Sequence, residues 1–262
     1  MPRQTPSVGQ RSDISQYPGD FRLRNMGHDL GVVQAHIQRF GNIITPGTSL
    51  VRAMMLLDKD GGTVWFAEGT YFIKEPFETS RDNVVWRAIG PRTKIQRVPA
   101  ETKTVAQGGG PMLTFNGARS QLIGFEIEDN PDSSYSSVKM AGDRSIVQDC
   151  HFVDGYNGVE IAGSLCRVSH NHFKGASNRG VFLTGTKSRN MVEANTFESS
   201  GIADYDIYFD DNVTDGGAVS NNHEIDATGL AISVKGGNNV VVDNTAFDKF
   251  YNILDIGSVQ TR

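Results

Sequence analysis

The phrases Val168-Ser-His-Asn171-His-Phe173, Val192-Glu-Ala-Asn195-Thr-Phe197 and Val219-Ser-Asn-Asn222-His-Glu-Ile225 carry one pattern three times. A branched apolar residue is followed three positions later by Asn, and another apolar residue comes soon after. Val147-Gln-Asp-Cys150-His-Phe152 and Val241-Val-Asp-Asn244-Thr-Ala-Phe247 add a copy on either side. From Cys150 through Asn171, Asn195 and Asn222 to Asn244 the steps are 21, 24, 27 and 22 residues. Self-similarity at this period marks a solenoid, in which each unit buries its apolar face only against its neighbours.

Helical repeats would need apolar residues at i, i+3, i+4 and i+7 over ten or more positions. These units alternate over short stretches and break at Gly, Asn and Asp. Each also has a second short run: Gly158–Ile161, Gly180–Leu183, Asp206–Phe209, Leu230–Val234 and Ile253–Ile256. Period-two alternation puts Val159 with Ile161, Val181 with Leu183, Ile207 with Phe209, Ile232 with Val234, and Leu254 with Ile256 on one face. The regular Leu offsets of a leucine-rich repeat are missing. A parallel β-helix with like strands stacked at roughly 4.8 Å fits. Asn171, Asn195, Asn222 and Asn244 then form a ladder at a recurrent bend, where Asn tolerates left-handed backbone and amides bond along the axis.

The longest step predicts an extra loop near residues 210–217. The last two copies shift the apolar residue after Asn by one, which predicts a bulge or widened corner. Upstream, 83–89 and 121–127 read as earlier, less regular coils, with 111–115 as a second strand and 129–137 as a projecting polar loop. Gly is abundant at 29 residues, as many tight corners require.

Thr48–Leu57 is a short amphipathic run with Thr or Ser as N-cap, leading into Gly61-Gly-Thr-Val and then Gly69-Thr-Tyr. This helix and these two strands resemble the opening of pectate-lyase-like right-handed β-helices, above all phage tailspikes and related virion proteins. The resemblance covers roughly residues 40–256. It implies an all-β chain: a single-stranded right-handed parallel β-helix over 45–262, a short capping helix over its open end, and an irregular arm over 1–44. It does not imply one activity, because lyases, hydrolases, epimerases and non-catalytic spikes share this architecture.

A net charge of −5 gives no support for a nucleic-acid partner. No apolar run of about 18 residues exists, so no membrane insertion is expected. The start, Met-Pro-Arg-Gln-Thr-Pro, lacks the apolar stretch of a secretory signal. Cys150 and Cys166 are the two cysteines. Cys150 takes the place of the ladder Asn and is expected inside the coil as a small apolar residue, with a disulfide the less favoured reading. No zinc spacing occurs, and no metal or cofactor is expected.

The acidic run 204–211 holds the candidate catalytic residues Asp204, Asp206 and Asp210. With Ile207 and Phe209 inward, Asp206, Tyr208 and Asp210 would share an outer face, successive ones roughly 7 Å apart. Inverting glycosidases hold their carboxyls roughly 6.5–9.5 Å apart, one protonating the leaving oxygen and the other activating water. Solvated Asp on an outer strand explains the same pattern without catalysis. Calcium on these three residues is a further alternative. A lyase would need a base and an enolate stabiliser; Arg179, Lys187 and Arg189 are near in sequence, yet nothing fixes them against the acids. The polygalacturonase set is not assembled, since only the isolated Asp210-Asp211 matches it.

Tyr135, Tyr156, Tyr205, Tyr208 and Phe182 are candidate glycan-binding residues on outward strands or loops, joined by Phe250 and Tyr251. Outward aromatics also pack chains of a trimer together, and that reading is preferred here. His151, His170, His172 and His223 follow the coil register and are expected as a solvent-facing stack. The chain stops six residues after Ile256, where a catalytic tailspike would be expected to continue.

These features predict a structural protein of a bacteriophage particle: a small homotrimeric spike, fibre or capsid decoration. It would be assembled in the host cytoplasm, attached to other virion proteins through residues 1–44, and able to touch host polysaccharide. The alternative is a polysaccharide depolymerase, hydrolase or lyase, using the acidic cluster. A sugar-binding bacterial β-helix is a third reading.

Overall fold

A computed structural model describes residues 42–98, 109–130, 134–185, 189–198, 205–210, 217–225, 231–234, 239–246, 252–256 and 260–261. Their strands form three parallel sheets, visited in the same order by each turn of the chain. The first sheet has ten strands: Asn42–Ile44, Gly62–Phe66, Val84–Ala88, Gln121–Ile123, Ile146–Gln148, Arg167–Ser169, Met191–Glu193, Ala218–Ser220, Val240–Val242 and Gln260–Thr261. The second has eight: Gly69–Ile73, Thr93–Arg97, Glu126–Glu128, His151–Val153, His172–Lys174, Thr196–Glu198, His223–Glu224 and Thr245–Ala246. The third also has eight: Phe77–Thr79, Leu113–Phe115, Ser136–Met140, Asn157–Ile161, Arg179–Leu183, Tyr205–Phe209, Ala231–Val234 and Asn252–Ile256. This is the parallel β-helix that the repeat predicts. Residues 1–41 of the arm expected over 1–44, and most of the loop expected near 210–217, lie outside the described residues.

Alternation explains which side chains fill the coil. Val147, Val168, Val192 and Val219 stack up the first sheet, and Phe152, Phe173 and Phe197 up the second. Val159, Val181 and Ile207 do the same in the third. The three Phe rings lie nearly parallel, 4.8 and 5.0 Å apart. The next position in that register is Glu224, and Ile225 is 56% exposed. The expected bulge is therefore absent at this corner: the pairing runs straight on, and Ile225 falls outside the core. A register shift occurs instead between Ile232 and Ser233.

The asparagine ladder is present at the bend between the first and second sheets. The Nδ2 of Asn171 donates to Asn195 Oδ1 at 3.0 Å, Asn195 to Asn222 at 3.0 Å, and Asn222 to Asn244 at 2.9 Å. Each acceptor oxygen also takes the backbone N–H of the residue below it, and Asn171 serves Cys150 in this way at 2.9 Å. One amide thus satisfies several buried backbone groups that a corner would otherwise leave unpaired. The left-handed residue is not the Asn but its predecessor: Asp149, His170, Ala194, Asn221 and Asp243 have φ between 51° and 57°. Asn is selected here for its amide, not for backbone tolerance.

Cys150 and Cys166 are free and buried. Burial pushes the Cys150 thiol up to about 12, so it is an inert small apolar residue.

Helix α1, Leu50–Met55, lies over the first rung with Leu50, Ala53 and Met54 buried. Ser49 is its N-cap without a side-chain hydrogen bond. The Arg81 guanidinium donates to the carbonyls of Met54 at 2.7 Å and Leu57 at 3.0 Å, satisfying the C-terminal end. Asn42–Ile44 pairs in parallel with Val64–Phe66, so the last residues assigned to the arm belong to the sheet. The polar stretch 129–137 is less of a loop than its composition suggests. Asp129 is buried in an ion pair with Arg97 at 2.5 Å, and Ser136 opens a strand.

Candidate functional site on the third sheet

The third sheet turns one row of side chains outward, Lys139, Glu160, Phe182 and Tyr208, aligned by register; Ser233, next in that register, is fully buried. A second row beside it runs Ser136, Asn157, Arg179 and Tyr205. The rows differ in chemistry along their length. At Lys139 and Glu160 they are polar: Lys139 pairs with Glu160 at 2.7 Å, and the Ser136 hydroxyl donates to Glu160 at 3.0 Å. At Arg179, Phe182, Tyr205 and Tyr208 they become aromatic around one cation.

The Arg179 guanidinium carbon lies 4.4 Å from the Phe182 ring centroid and 4.2 Å from that of Tyr208. Tyr205 and Tyr208 have centroids 5.2 Å apart, and Phe182 and Tyr208 5.7 Å. All four residues are half-buried. Stacking against two rings holds the guanidinium in place, a cation–π arrangement that Arg favours over Lys. The face therefore combines flat apolar rings with polar tips, the mixture that orients a polar ligand over an apolar platform.

Three of the predicted glycan-binding residues, Phe182, Tyr205 and Tyr208, are thus brought together. Tyr135 stands apart at 43% exposure, beside Gly109. Tyr156 is half-buried at the bend, its carbonyl accepting the Asn178 N–H at 2.9 Å. Phe250 and Tyr251 lie outside the described residues, as do Asp204 and Lys187. Sequence reasoning treated Arg179 as a lyase candidate and missed its place between the rings. The signal was available, since Arg179 precedes Phe182 by three residues in a strand aligned with Tyr205 and Tyr208.

The acids are arranged differently from the expectation. Ile207 and Phe209 do point inward, and Tyr208 and Asp210 are half-buried outer residues. Asp206, however, is only 7% exposed and does not project beside them. It occupies the place held by Gly158 and Gly180 in the preceding rungs, where a Cβ would meet the rings of Phe173 and Phe197. Asp206 and Ile207 are buried in succession, so simple alternation fails at the strand's first residues. Among the described residues no group of three or more His, Cys, Asp or Glu could hold a metal ion.

The second sheet carries a charged face. Lys94 pairs with Glu126 at 2.6 Å and Glu128 at 2.7 Å, and these two bonds raise its pKa. Lys174 bonds Glu198 at 2.7 Å and lowers the pKa of that carboxyl. His151 and His172 stack at 4.7 Å, as expected, while Thr196 separates His172 from His223 in register. His170 is the left-handed residue before Asn171. Burial first, and the neighbouring His172 second, depress the His151 pKa.

A further buried set was missed. At the bend entering the first sheet, Asn190 Oδ1 accepts the Cys166 N–H at 2.8 Å and Asn239 Oδ1 that of Gly217 at 2.9 Å. Ser120 and Ser145 close the same corner in earlier rungs, donating to the Gly117 and Gly142 carbonyls. The residue type changes from rung to rung, so no repeated letter exposes it.

Comparison with known proteins agrees with this architecture. Among solved structures, a catalytic domain of GH87 α-1,3-glucanase in complex with nigerose superposes with a TM-score of 0.60 at 14% identity, covering 84% of this chain and 43% of that one. An alginate lyase from Paenibacillus sp. str. FPU-7 superposes with a TM-score of 0.56 at 18% identity, covering 78% and 76%. The chain spans less than half the length of the glucanase domains it matches. At such identities the likeness is one of fold. Comparison with curated proteins finds no match. The family model described as "Right handed beta helix region" matches residues 111–258, more than half of the sequence, and this chain belongs to that family.

Proposed function

We infer that this protein is a glycan-contacting structural β-helix, and that it serves as a homotrimeric component of a bacteriophage particle. The observation that carries the glycan reading is the patch of Phe182, Tyr205 and Tyr208 around Arg179, half-buried on an otherwise polar outer face. The apolar face of a sugar ring packs on such rings while its hydroxyls meet the polar tips. The glucanase and the alginate lyase of similar fold act on carbohydrate, as their names state, which supports a glycan as the ligand class. The virion reading is supported by the opening of the chain, where α1 caps a first rung built from Gly62–Phe66 and Gly69–Ile73. In this reading residues 1–41 and the strand after them connect to other particle proteins.

Glycan-array binding by the purified protein tests the first part. Tyr208→Ala should lower retention by about tenfold or more with an unchanged circular-dichroism spectrum, because it removes the ring shared by Arg179, Phe182 and Tyr205. Unchanged retention would remove the patch from the account. Sedimentation should give three chains per particle; a monomer at micromolar concentration would contradict the assembly. A depolymerase is the second reading, favoured by Asp210, which directly follows the strand that carries Tyr205 and Tyr208. It requires glycan cleavage that is lost in Asp210→Asn.

A further inference from the structure

We propose that Arg179 makes the aromatic face selective for anionic glycans, those carrying carboxylate or phosphate groups; this rests on the glycan-binding reading above. Five other basic side chains around the coil are matched to acids. Lys139 has Glu160, Lys94 has Glu126 and Glu128, Lys174 has Glu198, Arg167 has Glu193, and Arg97 has Asp129. Arg179 has no ion pair among the described residues, and its Nε is buried without a hydrogen-bond partner. Two aromatic faces stabilise the charge but accept none of its N–H bonds.

A guanidinium stacked on two ring faces and without an ion pair among the described residues is suited to a planar anion. Its fork matches a carboxylate or phosphate through two parallel charge-assisted bonds. The rings fix its orientation beforehand, so little side-chain entropy remains to be lost on binding. The nearest acid in the outward row, Glu160, is held by Lys139 and Ser136 and so offers little net repulsion. Tyr205 continues the row occupied by Arg179, placing a ring one rung beyond the cation. A sugar could stack on that ring while its acidic group meets the guanidinium.

The test is an array on which each carboxylated glycan is printed beside its carboxyl-reduced form, and each phosphorylated glycan beside its dephosphorylated form. The protein should retain charged members about tenfold better than their neutral partners, the scale of one charge-assisted bond. Arg179→Gln should abolish that preference while still retaining neutral members, and Arg179→Lys should restore only part of it. The pair showing the preference identifies carboxylate or phosphate as the anion. A preference that survives Arg179→Gln, or equal retention of charged and neutral members by the unaltered protein, overturns the inference and leaves glycan binding standing. Retention of no member at all overturns both. Thermal melts of each variant separate lost binding from lost folding.

Discussion

The early rungs and the late rungs solve the same packing problem by different means. Around Trp86 the coil is filled by unlike aromatics meeting at angles: Phe66, Phe77 and Phe115 surround its ring at 4.9–5.2 Å, and Phe125 meets Phe66 edge-on at 5.0 Å. In the later rungs like residues lie over like: Phe on Phe from Phe152 to Phe197, Val on Val, and Asn on Asn. The first arrangement draws its stability from bulk and individual fit. The second draws it from repetition, in which each rung presents to the next the surface it received. Angled aromatic packing suits the end that must meet α1, whereas identical rungs suit extension.

That contrast can be broken most severely at Trp86. Replacement by Ala should cost roughly 3–5 kcal/mol, because the neighbouring rings cannot all close the cavity. Trp86→Phe should cost much less, since the indole Nε1 is buried without a partner and its removal relieves an unsatisfied donor. Chemical denaturation of both variants gives the comparison. Near-equal losses would mean the indole is held by something other than packing.

Asn195→Ala should come next, at roughly 2–4 kcal/mol. The loss strands the backbone N–H of Asn171 and the Val168 carbonyl, and takes one bond from the Asn222 amide oxygen. Hydrogen exchange should rise at the rungs on both sides of residue 195 while the amides around Trp86 stay protected. Uniform exchange along the whole chain would argue against rung-by-rung stability in the late half.

The smallest effect is a pH dependence at the stacked histidines. The depressed pKa of His151 means that the folded state holds it neutral where the unfolded chain would already bind a proton. Stability is therefore complete above the ordinary histidine value and falls as pH drops through it toward the depressed one. His151→Gln should flatten that slope below about pH 6.5. An unchanged slope would place the titration elsewhere.

The same contrast explains what could be read from the sequence. Repetition is visible as letters, so the late rungs, the asparagine ladder and the third-sheet strands were legible from Val147 to Val241. Individual fit is not. The ion pair of Arg97 with Asp129 joins residues 32 positions apart with no local signal, and Asp129 was read as loop. The corner of Ser120, Ser145, Cys166, Asn190 and Asn239 uses several residue types for one geometric task. At the candidate site, alternation placed Ile207, Tyr208 and Phe209 correctly. It misplaced Asp206, because two successive residues at the start of the strand are buried. Arg179 was visible as a charge, but its lack of an acidic partner among the described residues is a property of three-dimensional neighbours alone.

Every functional statement depends on neighbouring rungs standing in the parallel register that aligns Arg179 with Tyr205 and Phe182 with Tyr208. Paired cysteines on the second sheet test that register away from the glycan face. Val153 is in register with Lys174, and Glu128 with Val153, so residues 128 and 174 are separated by a full rung. Under mild oxidation, the double variant Val153→Cys with Lys174→Cys should form an intramolecular disulfide, read as loss of free thiols in the unfolded chain. Glu128→Cys with Lys174→Cys should keep its thiols. The reverse pattern, or no cross-link in either pair, would contradict the stacked-rung account.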